Sequence, residues 1–284
     1  MKIITNDYGC GTSSSILDYT NSDVVVVSNH NHKHIFDIKN EDLFFVGHEF
    51  LMYLWEKPSY VNYWKNYKGK KIIWCFEKID CIVSEWEEKS HYSLSVCQKF
   101  TDLFYASDEQ DCRKYNLSWL PQWSSNRFYN QKDSQPKEEK IVFSGQAGLI
   151  GYEKRDELIQ NILQDNDIKN KFYISNNKRT KTWDEYIENF LNHKVILAPF
   201  GNLKAFNTRT YEALISGRVL LQQIDEEYKW HIESIEKFKN VIFFKDFAEL
   251  KNIILNTDFN SKFDINPLQQ FEENNFFERI KRVS

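Results

Sequence analysis

The feature that most limits this chain is a series of short apolar runs separated by helix-length stretches. Residues 23–28 hold Val24, Val25, Val26 and Val27 in succession, and a strand apolar on both faces belongs inside a parallel sheet covered by helices on either side. Similar runs occur at residues 2–5, 42–47, 70–77 and 102–107, with helix-length stretches at 49–67 and 81–101. In the second half, residues 140–148, 172–175, 194–199, 219–223 and 241–246 read as strands. Stretches opening near Tyr152, Trp183 and Phe247 read as helices. Strands alternating with helices call for right-handed, parallel, doubly wound α/β sheets. Such sheets bind ligands outside the carboxyl ends of their strands.

A chain of 284 residues is too long for one small core and suits two domains. The polar run 130–140, with Pro136, reads as a linker. The expected domains are 1–130 and 131–265, followed by a C-terminal helix over 266–284. Charge is nearly balanced, with 37 basic and 41 acidic side chains and a net charge of −4, so nucleic acid is set aside as a partner. The five cysteines (Cys10, Cys75, Cys81, Cys97, Cys112) are odd in number and form no Cys-x-x-Cys pair, which points to free thiols in a reducing cytoplasm. The N-terminus lacks a signal-peptide core, and no apolar run approaches the roughly 18–20 residues of a membrane span. A cytoplasmic protein is expected, with a peripheral membrane contact through the aromatics of 53–64 left open.

The loop 6–13 carries Gly9 and Gly11 but lacks the third glycine of a dinucleotide fingerprint. The strand ends of the first half carry Asp7, His30, His48, Glu49 and Glu77, each a candidate to deprotonate an acceptor hydroxyl. Asp7 and Glu77 are preferred because they follow strands directly. His30, His32 and His34 alternate in a polar loop without a nearby carboxylate partner, which reads as a solvated loop rather than a metal site.

The richest stretch is Phe206 to Leu221: a polar loop with Asn207, Thr208 and Arg209, a short helix with Tyr211, Leu214 and Ile215, then Gly217 and a strand. A loop feeding a helix N-terminus gathers unpaired N–H groups and a positive dipole end, a setting that suits a diphosphate. Glu212, one turn inside, is placed to accept from sugar hydroxyls. Upstream, Ser144, Gly145 and Gln146 follow a strand, and small residues there let the backbone approach a ligand.

Residues 207–217 (Asn-Thr-Arg-Thr-Tyr-Glu-Ala-Leu-Ile-Ser-Gly) resemble the nucleotide-sugar signature of the C-terminal domain of GT-B glycosyltransferases, most closely the group 1 and spore-maturation-like families. The resemblance extends over about residues 140–255 and implies two Rossmann-like domains facing a cleft, with the C-terminal helix crossing back to the first. It implies a glycosyltransferase that moves a sugar from a UDP- or GDP-type donor to a hydroxyl of a glycan, lipid or protein. On this reading Gly145, Gln146, Arg155, Asn207, Thr208 and Arg209 hold the diphosphate, with Lys154 second to Arg155, and Glu212 holds the ribose. Many retaining relatives carry a Glu eight positions before the signature Glu; here that position is Lys204, which leaves the sugar and the stereochemistry open. No Asp-x-Asp pair of the metal-dependent transferase type stands out, so neither metal nor cofactor is expected, and charge on the leaving diphosphate falls to Arg155, Arg209 and helix dipoles. A nucleotide-sugar 2-epimerase and a non-catalytic nucleotide-sugar-binding module are the alternatives.

Overall fold

The computed structural model describes residues 2–5, 23–26, 37–46, 62–63, 65–75, 79, 98–99, 101–122, 124, 127–128, 134–145, 152–176, 183–201 and 204–262. The chain divides into two compact units, with the break among the described residues between Gln122 and Ser124. Each is built on one parallel sheet.

The first unit contains β1 (Lys2–Thr5), β2 (Asp23–Val26), β3 (Leu43–Val46), β4 (Lys71–Cys75), β5 (Leu103–Ala106) and β6 (Ser118–Trp119), in the order β2-β1-β3-β4-β5-β6. Every pairing is parallel. All side chains of β3 and β4 are buried, as a strand covered on both faces requires. Helix α1 (Glu109–Tyr115) follows β5; the Asp108 carboxylate caps it by accepting from the N–H groups of Gln110 and Asp111, and it ends on Asn116 in a left-handed conformation with φ 55°. The sequence pattern gave no sign of this helix, because its buried side chains are Glu109, Asp111 and Cys112 rather than an apolar stripe. Cys75 and Cys112 are buried free thiols, and burial pushes the Cys112 thiol up to about 12.

The second unit contains β7 (Glu138–Gly145), β8 (Phe172–Asn176), β9 (His193–Ala198), β10 (Val219–Gln223) and β11 (Val241–Phe244), in the order β11-β10-β9-β7-β8. Its helices are α2 (Glu153–Gln164), α3 (Trp183–Leu191), α4 (Thr208–Ile215), α5 (Lys229–Ile235) and α6 (Phe247–Asn256). Counted from its own first strand this is the doubly wound order 2-1-3-4-5, and the first unit follows the same order before adding β6. The order reverses between β7 and β9, which marks the switch point where such sheets bind ligands.

Alternation along the strands sorts the core. Ile141 and Phe143 of β7, Val195 and Leu197 of β9, and Val219 and Leu221 of β10 form one cluster with Leu158, Ile159 and Ile162 of α2 and Leu250 and Ile254 of α6. The next residues along each strand face the opposite side, where α4 packs on β9 and β10. Helices α2 and α4 therefore cover opposite faces and bring their N-termini to the same sheet edge. At its other end α4 stops in a Schellman turn: Gly217, with φ 70°, donates to Leu214 O (3.1 Å), and Arg218 N donates to Ala213 O (2.9 Å).

Arg218 lies just beyond, fully buried. Its guanidinium donates to Ser216 O (2.9 Å), Ser134 O (2.9 Å) and Leu191 O (2.6 Å), so one cation caps the C-terminal ends of α3 and α4.

Candidate functional site

The site is assembled at the carboxyl end of β7. Asn207 caps α4, its side chain accepting from Arg209 N at 3.0 Å, which fixes the first turn with Thr208 half-buried at its head. Arg209 is only 8% exposed and turns back onto β7, donating to Ser144 O through Nε (2.9 Å) and Nη2 (2.5 Å), with its guanidinium 5.0 Å from the Phe143 ring centroid. Gly145 makes this possible. A Cβ at that position would stand 2.2 Å from Arg209 Nη2, so the glycine is needed for close approach of a protein side chain rather than for a turn.

Arg155 comes from the opposite face, on the first turn of α2. It is 5% exposed, donates through Nε to Phe200 O (2.7 Å), and lies 4.5 Å from the Tyr152 ring centroid and 5.7 Å from that of Phe143. Two guanidiniums thus share one aromatic ring. Burial, and next the Arg209 charge, hold Arg155 well below the ordinary guanidinium range, with Tyr152 and Asp156 opposing. Arginine keeps its proton regardless. The consequence is a buried pair of like charges, both in the first turns of their helices, where the dipole already favours an anion. Arg209 Nη1 is buried with no hydrogen-bond partner, an expense a native interior rarely leaves unanswered.

Glu212 lies one turn along α4, 2% exposed, accepting from the Tyr186 hydroxyl of α3 at 2.6 Å. Burial pushes its carboxyl up to about 7, while the Tyr186 bond and the Arg209 charge pull it back. Tyr186 itself is raised well above its ordinary value, first by burial and then by the Glu212 charge. Phe128 meets Tyr186 and Phe190 edge to face, and the Tyr186 and Phe190 rings are tilted against each other, with centroids 5.1 to 6.1 Å apart.

Ser144, Gly145, Arg155, Asn207, Thr208, Arg209 and Glu212 therefore gather at the end of β7 and along the start of α2 and α4. Gln146, Asp7 and Glu77 lie outside the described residues, as do His30, His32, His34, His48 and Glu49. Lys154 is exposed on α2. Lys204, the departure from the signature, forms an ion pair with Asp225 beyond β10. Burial raises the Asp225 carboxyl, but the Lys204 bond, the Glu227 N–H and the charges of Lys204 and Lys154 outweigh it and leave it lowered. Tyr152, Tyr186 and the two glutamines ending β10 join the site without belonging to the signature stretch. The glutamines carried a visible signal, being polar side chains in an otherwise apolar strand. Among the described residues, no group of three or more His, Cys, Asp or Glu side chains could hold a metal ion, and no helix is long and apolar enough to cross a membrane.

Two parallel, doubly wound α/β units, the second with a basic site at its switch point, define the GT-B fold. Among solved structures, the chain is similar to Anabaena Alr3699/HepE. Its complex with UDP and glucose superposes with a TM-score of 0.58 at 10% identity, covering 96% of this chain and 98% of that one. The complexes with UDP (TM-score 0.55, 9% identity) and with UDP-glucose (0.55, 10%) match over the same shares. No family model matches the sequence, and no curated protein does either.

Proposed function

We propose that the protein is a glycosyltransferase that takes a nucleotide-diphosphate sugar, of the UDP class, into its second unit and transfers the sugar to a hydroxyl acceptor. The observation that carries this reading is the pair Arg155 and Arg209, buried together at the switch point with Arg209 Nη1 unpartnered. A diphosphate supplies the missing negative charge, and guanidiniums match its oxygens in bidentate geometry. The UDP and UDP-glucose complexes of the structurally similar Anabaena protein favour uridine as the base.

In the reaction the acceptor O–H gives its proton to a base, its oxygen forms a bond to the anomeric carbon, and the bond from that carbon to the diphosphate breaks. The electron pair stays on the leaving UDP, where the two guanidiniums and the α2 and α4 N-termini stabilise it. These groups supply fixed positive charge without a divalent metal. Asp7 and Glu77 remain the proposed bases, and Glu212, held by Tyr186, the proposed partner of the ribose hydroxyls. The first unit is left to bind a carbohydrate, lipid or protein acceptor.

The test is thermal-shift screening with UDP, UDP-glucose, GDP and GDP-mannose in EDTA, with Arg209→Lys and Arg155→Lys alongside. A ligand at 100 times its Kd stabilises by about 2.7 kcal/mol. UDP compounds are expected to raise the wild-type Tm and to lose most of that effect in both variants. A wild type indifferent to all four, or variants that respond as it does, defeats the assignment. Release of UDP from UDP-glucose that depends on added acceptor then separates transfer from epimerisation and from binding alone.

A further inference from the structure

Strand β10 runs Val219, Leu220, Leu221 and then closes with two buried amides, Gln222 at 1% and Gln223 at 8% exposure. Consecutive strand residues point to opposite faces, so Gln222 faces the α4 side and Gln223 the α2 side. Gln222 Oε1 accepts from Thr210 Oγ1 at 2.6 Å, and its Nε2 donates to Gln223 O at 2.8 Å and Ala198 O at 3.3 Å. Thr210 adjoins Arg209 in the first turn of α4. Gln223 Oε1 accepts from Phe200 N at 3.1 Å, and its Nε2 donates to Lys245 O at 3.1 Å. The carbonyl of that same Phe200 receives Arg155 Nε at 2.7 Å.

Each amide therefore holds a residue that is itself tied to one of the two arginines, by the chain in one case and by a hydrogen bond in the other. Gln222 holds Thr210, the chain neighbour of Arg209, and Gln223 holds the N–H of Phe200, whose own carbonyl receives Arg155. We infer that Gln222 and Gln223 are positioning residues that fix the separation of the two guanidiniums from opposite faces of the sheet, one amide for each arginine. The inference rests on the diphosphate reading of that pair. A rigid separation matters because two like charges left loose would move apart, and the spacing that spans a diphosphate would be lost.

The experiment is a set of double-mutant cycles on the full chain, reading UDP affinity by titration calorimetry in EDTA, with Gln222→Met, Gln223→Met, Arg155→Lys, Arg209→Lys and the four Gln/Arg doubles. Each glutamine variant is expected to weaken UDP about tenfold while circular dichroism shows a folded protein. Gln223 with Arg155, and Gln222 with Arg209, are expected to be non-additive, the second change costing little once the first is made. The crossed pairs are expected to multiply. Should a methionine variant not fold, Gln→Glu at the same position keeps the acceptor oxygen and serves the same cycle. Crossed and matched pairs behaving alike, or glutamine variants binding UDP as the wild type does, overturn this inference alone, provided the arginine variants still lose affinity. A wild type that does not bind UDP overturns the diphosphate reading instead.

Discussion

Buried arginine stands at both ends of α4, and the ends differ in what answers the charge. Beyond the C-terminus, Arg218 donates to carbonyls of Ser134, Leu191 and Ser216, and two helix dipoles point their negative ends at it. At the N-terminus, Arg209 meets a second guanidinium, a helix end of its own sign, and keeps a buried N–H without a partner. What separates them is their company: converging carbonyls and negative helix ends around Arg218, a like charge and a positive helix end around Arg209. The same residue type, buried at both ends, is held by converging backbone acceptors at one and set against a like charge at the other, and it is the second end that the proposed function assigns to a ligand.

The comparison breaks most visibly through Arg218→Met. Loss of a buried cation that answers three carbonyls is expected to cost about 3–5 kcal/mol in urea unfolding. UDP affinity of the protein that remains folded should be unchanged, and a stable variant would show that the two ends are not distinct. Gly145→Ala comes next. The added methyl must displace the Arg209 guanidinium, so UDP affinity is expected to fall about 10–100-fold by calorimetry, roughly 1.4–2.8 kcal/mol, with a smaller change in unfolding.

The smallest expected effect is the one that sharpens the contrast with pH. The Glu212 carboxyl is raised in the folded chain from 4.5 to about 7. The stability this confers is present in full below pH 4.5 and is lost as pH rises through 7, so the free protein is less stable in alkali on this account. Glu212→Gln is expected to raise the unfolding free energy measured in urea at pH 8 by about 1–2 kcal/mol, the new amide's need for its own partner limiting the gain, and to change little at pH 5. Binding of a ribose diol favours the ionised carboxylate, so wild-type affinity for UDP-glucose should rise as pH passes 7, and the variant's should not. A variant no more stable at pH 8 than at pH 5, relative to wild type, would remove the carboxylate from this account.

Much of this was legible in the chain itself, for identifiable reasons. The valines of residues 23–28 and the apolar runs at β3, β4 and β9 declare a sheet covered on both faces. Asn207 and Gly217 mark the two ends of α4 by capping chemistry that needs no tertiary context. Helix α1 was hidden because its buried face is acidic, and α5 because its buried side chains, His231 and Ile235, are too few to make a periodic signal. In the site, Arg155, Arg209 and Glu212 stood out by residue type and order. Tyr186 read only as one more aromatic at helical spacing. Its bond to Glu212, and the raised carboxyl that follows from burial, arise from packing α3 against α4, which no local pattern encodes.

On the proposed function, the shared ring of Phe143, with a guanidinium 5.0 Å and another 5.7 Å from its centroid, bears on turnover as well as on capture. A sugar nucleotide carries about two negative charges on its diphosphate, whereas the free diphosphate released at neutral pH carries closer to three. A pair of fixed cations grips the more highly charged species harder. If the proposed reaction holds, departure of the spent nucleotide is slower than its arrival, product inhibition follows, and added salt hastens the cycle before it begins to weaken donor capture.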